Sequence, residues 1–268
     1  MICDTEDDQG PYTSSPKRLK IDLGTESDDA ESVQSEARSG MGRRPPFTNT
    51  HRIVREPGKF HLLIGVTGSV AAIKLAEMLK KLHEICPPNR LFVKVIATQM
   101  GLRMLESIED ELATETEEII YEDRDEHSMW RGRGDPVLHI ELRKWADAMF
   151  IAPLDANTLA KIAHGLCDNL LTNVVRAWES TKPLYFAPAM NTEMWLSPLT
   201  AQHKKLLTEL LGFKEIPPIS KTLMCGDTGL GGMAEIQMIT TIIAQMVRNR
   251  FAVYTPVVNT SEEVPGYE

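Results

Sequence analysis

The chain has 268 residues, 29 Lys and Arg against 38 Asp and Glu, 42% hydrophobic residues and a formal net charge of −9. The first 36 residues hold 10 acidic and 3 basic side chains, so they carry −7 of that charge and leave a body close to neutral. A near-neutral body excludes a nucleic-acid partner on electrostatic grounds, because phosphate-backbone binders need clustered Lys and Arg to displace counterions.

Residues 1–58 contain Asp, Glu, Ser, Gly and Pro without apolar periodicity, as in DTEDDQGPYTSSPKRLK and TESDDAESVQSEARSG. Such a segment buries too little apolar surface to offset its ordering entropy, and it reads as a disordered acidic tail. The acidic start, with Asp4, Glu6, Asp7 and Asp8, has the wrong sign for a secretory leader, and no run of about 18 uncharged apolar residues follows. A cytoplasmic protein with no membrane partner is expected. Entry into the nucleus stays open, since PKRLK at 16–20 reads either as an import signal or as an ordinary solvated basic cluster. Cys3, Cys86, Cys167 and Cys225 lie far apart without CxxC spacing, which argues for free thiols and against a metal site.

The folded domain is expected over 59–250, with a second tail at 251–268. Phe60–Val66 (FHLLIGV) is a buried-strand run, followed by Gly68, Ser69 and the helical pattern VAAIKLAEMLKKLHEI. The order repeats with Leu91–Ala97 before a helix near 100–108, then Glu118–Tyr121, then Asp147–Pro153 before ANTLAKIAHGL, and Pro183–Ala187 before a helix near 199–212. Strands alternating with helices imply an α/β fold: a doubly wound parallel sheet, with ligands bound beyond the carboxyl ends of its strands.

Five loops carry candidate chemistry. In VTGSVAAIK (66–74), Gly68 and Ser69 open a helix directly after a strand, where unpaired N–H groups suit a phosphate; a plain N-cap serine is the simpler alternative. In APLDANTLAKIAHGLCDNLLT (152–172), Asp155, Asn157 and Thr158 serve either as helix caps or as ligand contacts. In DPVLHIELRKWAD (135–147), His139 sits beside an apolar helix face, either as a structural residue or as a proton handler. In FAPAMNTEMW (186–195), Pro188, between Ala187 and Ala189, stiffens the backbone and presents Asn191 at a fixed place, while Met190, Met194 and Trp195 suit core packing. In PPISKTLMCGDTGLGGMAE (217–235), dense glycine around Cys225 describes a mobile flap, whose thiol either donates a proton or attacks a ligand, or is incidental to the loop.

Taken together, GSVAAIK (68–74), DPVLHIELRKWAD, APLDANTLAKIAHGLCDNLLT, PAMNTEMW (188–195) and CGDTGLGGMAE (225–235) closely resemble the homo-oligomeric flavin-containing cysteine decarboxylases, in particular the members that act on phosphopantothenoylcysteine. The resemblance spans about 59–248 and keeps the family's motif order. It implies a flavodoxin-like, Rossmann-type single domain assembled as a homotrimer, with FMN at the subunit boundary. It also implies FMN contacts at Gly68, Ser69, Val70, Thr98, Asp155, Ala156, Asn157, Thr158 and Ala189. Relatives often show serine where this chain has Asp155. The implied reaction is decarboxylation of 4′-phospho-N-pantothenoylcysteine to 4′-phosphopantetheine, a step of coenzyme A synthesis. In the family mechanism FMN oxidises the thiol-bearing carbon to a thioaldehyde, carbon dioxide leaves, and the same flavin reduces the resulting ene-thiol. By resemblance His139 is the base or orienting group of the first half. Asn191 holds the substrate carboxylate, Met194 belongs to the same substrate-recognition motif, and Cys225 supplies the final proton. Two alternatives stand beside this reading: a regulatory, phosphatase-inhibiting subunit of the same fold, and a decarboxylase of another cysteine-ended substrate.

Overall fold

A computed structural model of the chain describes residues 45–115, 120–222 and 228–252. Strand β1 (Phe60–Val66) is buried at all seven positions, and a short 3-10 turn (Val70–Lys74) leads from it into α1 (Leu75–Ile85). Then come β2 (Leu91–Ala97), α2 (Gln99–Leu105), α3 (Glu109–Glu115), β3 (Ile120–Tyr121), α4 (Asp123–Met129) and α5 (Leu138–Trp145). The second half contains β4 (Ala148–Leu154), α6 (Ala156–Ala163), α7 (Leu170–Arg176), β5 (Leu184–Pro188), α8 (Thr192–Leu196) and α9 (Pro198–Lys205). It ends with β6 (Lys214–Glu215), an antiparallel hairpin of β7 (Ile219–Thr222) and β8 (Thr228–Gly232), and α10 (Ile236–Phe251).

The main sheet has the order β3-β2-β1-β4-β5-β6 with every pair parallel. The expected doubly wound parallel sheet is therefore present, in the Rossmann-type strand order. Side-chain alternation divides the core between its two faces. Leu62, Ile64 and Val66 point to the face covered by α1 and α10, whereas Leu63 points with Ile96 and Ile151 to the face covered by α5, α6 and α7. Chain order runs outward from β1 to β3 and then returns to β4 beside β1, so the loops after β1 and β4 part at the switch point where such sheets bind ligands.

Residues 45–58, assigned above to the tail, run along the body as a strap. Phe47 stacks on His51 at 3.7 Å between ring centroids, and His51 Nε2 lies 3.2 Å from the Tyr121 hydroxyl. Phe47 N donates to Asp125 at 3.3 Å, and Asn49 Nδ2 donates to Asp135 at 3.0 Å. Further along, Trp145 Nε1 donates to the Val54 carbonyl at 3.2 Å, while Arg55 pairs with Asp147 at 2.8 Å and donates to the Trp145 carbonyl. Side-chain and backbone hydrogen bonds of this kind hold a polar segment that composition alone assigns to solvent.

The strap ends on a buried histidine. Glu56 N donates to His61 Nε2 at 3.0 Å, which places the imidazole proton on Nδ1, 3.3 Å from Asp147. Burial, and then the positive charge of Arg55, hold the His61 pKa below the usual histidine value against the pull of Asp147 and Glu56. The folded state thus favours neutral His61. Its contribution to stability is complete above about pH 6.5 and falls away as the pH drops toward the folded value. Thermal unfolding should therefore show a midpoint that declines between pH 7 and pH 5, and His61→Gln should flatten that part of the curve. An unchanged slope in the variant would remove His61 as the cause.

Candidate functional site

The carboxyl ends of β2, β1 and β4 each pass into a helix through a capped turn. Ser69 accepts from Ala71 N at 3.4 Å, Thr98 from Gly101 N at 3.1 Å, and Asp155 from Thr158 N at 2.7 Å. These are ordinary N-caps, as the sequence allowed for Ser69 and Asp155. What sequence reasoning did not supply is how the turns are joined. The second carboxylate oxygen of Asp155 accepts from Gly68 N at 3.1 Å, so one side chain satisfies amides of two different turns. Thr67, fully buried at the end of β1, reinforces the joint by accepting from Asp155 N at 2.7 Å and donating to the Pro153 carbonyl at 2.9 Å. Close approach completes the arrangement: a Cβ at Gly101 would lie 2.6 Å from the Val66 carbonyl oxygen, so only glycine lets α2 start against the end of β1.

Gly68, Ser69, Val70, Thr98 and Asp155–Thr158 thus stand at the ends of three adjacent strands. The next strand end carries Ala189, whose N–H donates to the Leu154 carbonyl at 2.9 Å, and Asn191. Asn191 caps α8 by accepting from Met194 N at 2.8 Å, which leaves its Nδ2 as the group to donate elsewhere. Met194 is 53% exposed and does not join the core. Thr98, Thr158 and Ala189 are buried, so any ligand contact from them falls to the backbone or a hydroxyl edge. Met190 N donates to the Gly231 carbonyl at 3.0 Å, which ties the β7–β8 hairpin to this edge. Cys225 lies outside the described residues.

His139 is on the first turn of α5. Trp145, at the other end of that helix, packs against His61 at the opposite, amino-terminal edge of the sheet, with ring centroids 4.9 Å apart. Six residues at about 1.5 Å each carry His139 back toward the carboxyl edge. There Glu126 of α4 accepts from His139 N at 2.9 Å and lies 2.5 Å from His139 Nδ1. Glu126 was not singled out from the sequence.

The residues at this edge fit a flavin mononucleotide. Asp155 engages Gly68 N and Thr158 N, and the amides of Ala156 and Asn157 find no hydrogen-bond partner among the described residues, as expected for a helix start open to an anion. Beside them Val70 (42%), Ile73 (37%) and Met100 (46%) expose apolar side chains that would otherwise be expected in a core, which suits a flat aromatic ring. The carboxylate of Asp155 is turned onto two N–H donors, Gly68 N and Thr158 N, and so is engaged within the protein.

A parallel sheet with open amides and apolar side chains at its switch point defines a nucleotide- or flavin-binding α/β protein. Comparison with known proteins gives the narrower class. The family model described as Flavoprotein matches residues 51–248, well over half of the chain, and the chain belongs to that family. It is 52% identical over 191 residues to the phosphopantothenoylcysteine decarboxylase of Mus musculus, covering 71% of this chain and 87% of that protein. To the enzyme of the same name from Oryza sativa subsp. japonica it is 49% identical over 187 residues, covering 70% and 80%. Among solved structures, a mutant PPC decarboxylase complexed with pantothenoylaminoethenethiol aligns with a TM-score of 0.63 at 47% identity, over 70% of this chain and 98% of that one. The FMN-binding protein AtHal3 aligns with a TM-score of 0.62 at 47% identity, over 73% and 100%.

Proposed function

We infer that this chain is an FMN-dependent phosphopantothenoylcysteine decarboxylase, which converts 4′-phospho-N-pantothenoylcysteine to 4′-phosphopantetheine in coenzyme A biosynthesis. The observation that carries the reading is the switch-point edge, with open amides and exposed apolar side chains together, in a chain about half identical to decarboxylases of that name. Bound FMN supplies the two-electron chemistry that lets a cysteine carboxylate leave as carbon dioxide.

The protein's own residues bind, orient and move protons. The open amides of Ala156 and Asn157, with the Gly68–Val70 turn, Asp155, Thr158, Thr98 and Ala189 beside them, hold the cofactor. The Nδ2 group of Asn191 donates to the substrate carboxylate, a role supported by the fixed position that its capping bond gives it. Met194 offers an exposed apolar surface beside that carboxylate. His139 takes a proton during oxidation of the substrate's thiol-bearing carbon, and Cys225 returns one to the ene-thiol.

The working unit in this reading is a homotrimer with the cofactor at the subunit boundary. The apolar side chains at the site, open in the single chain, are the support for it. Among the described residues no helix is long and apolar enough to cross a membrane. A cytoplasmic setting, with nuclear entry open, suits a phosphorylated substrate and product. The catalytic domain is 59–250 with residues 45–58 as its strap, flanked by the acidic segment 1–44 and by 251–268.

Purified protein should be yellow, bind FMN in preference to FAD, and release carbon dioxide from phosphopantothenoylcysteine without a partner chain. Light scattering of the same sample should report three chains per particle. A colourless preparation that takes up no added FMN overturns the cofactor assignment. Flavin binding without turnover favours a regulatory subunit or another cysteine-ended substrate.

A further inference from the structure

We propose that Glu126 is a positioning residue that fixes the tautomer of His139. The inference rests on the reading of His139 as the proton acceptor and extends it to a residue thirteen positions away in sequence.

Glu126 grips His139 at two points, since one carboxylate oxygen accepts from the backbone N–H at 2.9 Å and the other lies 2.5 Å from Nδ1. A carboxylate only accepts hydrogen bonds, so the Glu126 contact puts a proton on Nδ1, and in the neutral imidazole the lone pair is then on Nε2. The side chains are 18% and 23% exposed, which limits competition from water for either contact. The carboxylate is itself held in place. Next to it, fully buried Asp125 accepts from Phe47 N at 3.3 Å and from Glu122 N at 3.0 Å, while Asp123 accepts from Leu170 N at 2.8 Å. Helix α4 is thereby fastened to the strap on one side and to α7 on the other. The arrangement matches the carboxylate–imidazole pairs in which the acid holds the ring and does not itself exchange the proton with substrate.

A purely structural role predicts something different. If Glu126 served only to cap α5 through His139 N, a glutamine would do the same, because its amide oxygen also accepts from a backbone N–H. The amide NH₂ would then face Nδ1 as a donor and draw the ring into the Nε2–H tautomer, removing the acceptor from the side presented to substrate. Glu126→Gln therefore separates capping from tautomer control.

The test uses FMN-loaded, histidine-¹⁵N-labelled protein, with His139 assigned by its disappearance in His139→Asn. Long-range ¹H–¹⁵N spectra should show His139 protonated at Nδ1 in the natural protein and at Nε2 in Glu126→Gln. Turnover of phosphopantothenoylcysteine should fall about 10²-fold or more in kcat with KM changed little, as loss of general acid–base action predicts. Glu126→Asp, which keeps an acceptor-only carboxylate, should recover part of it. His139 protonated at Nε2 in the natural protein overturns the proposal even if Glu126→Gln fails to fold. So does a Glu126→Gln protein with unchanged tautomer, or one with unchanged kcat. If instead the natural protein turns over no phosphopantothenoylcysteine, the substrate reading fails while the tautomer measurement still decides the role of Glu126.

Discussion

His139→Asn should retain FMN and release no carbon dioxide, whereas Cys225→Ser should release carbon dioxide and stop before 4′-phosphopantetheine. The two halves of the reaction make different demands on protons. Carbon dioxide leaves only after the thiol-bearing carbon has been oxidised, because only then can the electrons of the breaking bond be delocalised. If His139 is the proton acceptor proposed for that first step, a chain without the imidazole lacks it, and a loss of about 10²- to 10⁴-fold is the range for removing a general base. Asparagine does not restore it, since its amide oxygen is not basic. FMN retention is expected because His139 is held by α4 and lies outside the turns that offer open amides. In the proposed reaction Cys225 acts after decarboxylation, so its loss is expected to leave carbon dioxide release in place. A serine hydroxyl is a far weaker acid than a thiol of pKa about 8.5 and protonates the ene-thiol poorly. The discriminating measurement is product identity by mass spectrometry, together with trapped carbon dioxide. Normal 4′-phosphopantetheine from Cys225→Ser at the natural rate returns Cys225 to an incidental loop position, and carbon dioxide from His139→Asn removes His139 from the first half.

Where the fold was legible, the reason is burial on both faces. Strands β1, β2 and β4 are seven-residue apolar runs because a parallel sheet is covered above and below, and their limits in the structure differ from the sequence reading by at most one residue. Strand β6 escaped because it is two residues long, Lys214 and Glu215, and exists through its pairing with Tyr185 and Phe186. Helix α10 was within reach: Ile236, Ile239, Thr240, Ile243, Ala244 and Val247 form one buried stripe at helical spacing, interrupted by a threonine that satisfies its hydroxyl on the Ile236 carbonyl. The site divides in the same way. Caps at Ser69, Thr98, Asp155 and Asn191 are local events, readable from a residue and its next three neighbours. Glu126 and the strap are not local. An acidic residue in the first turn of a short helix reads as a favourable charge at the helix dipole, and nothing in EDRDEHSM says which helix it will meet. Phe47 and Ile53 sit among polar residues, and the bonds that hold their segment run to partners some 70 to 90 positions away.

Asp155→Ala should cost the apo protein about 2–3 kcal/mol of stability and weaken FMN binding at least about tenfold. The alanine removes the cap on Thr158 and the tie to Gly68 together, leaving two amides at the switch point without an acceptor. The tie has the larger consequence for the cofactor, because it sets the distance between the turn after β1 and the turn after β4, and a ligand held by both depends on that spacing. Two milder variants divide the effects. Serine at 155 offers one oxygen, which caps the helix but leaves Gly68 N without its partner. Asparagine caps as well as aspartate does, yet turns an NH₂ toward the Gly68 N–H. Both should therefore regain the part of the stability that the cap supplies and little of the affinity. If repulsion between the Asp155 carboxylate and the FMN phosphate governed the site instead, removing the charge would strengthen binding in all three variants. Denaturant unfolding of the apo proteins and flavin fluorescence titrations give the two quantities separately. An Asp155→Ala protein that binds FMN as the natural protein does would show that the two turns hold their spacing through Thr67 alone.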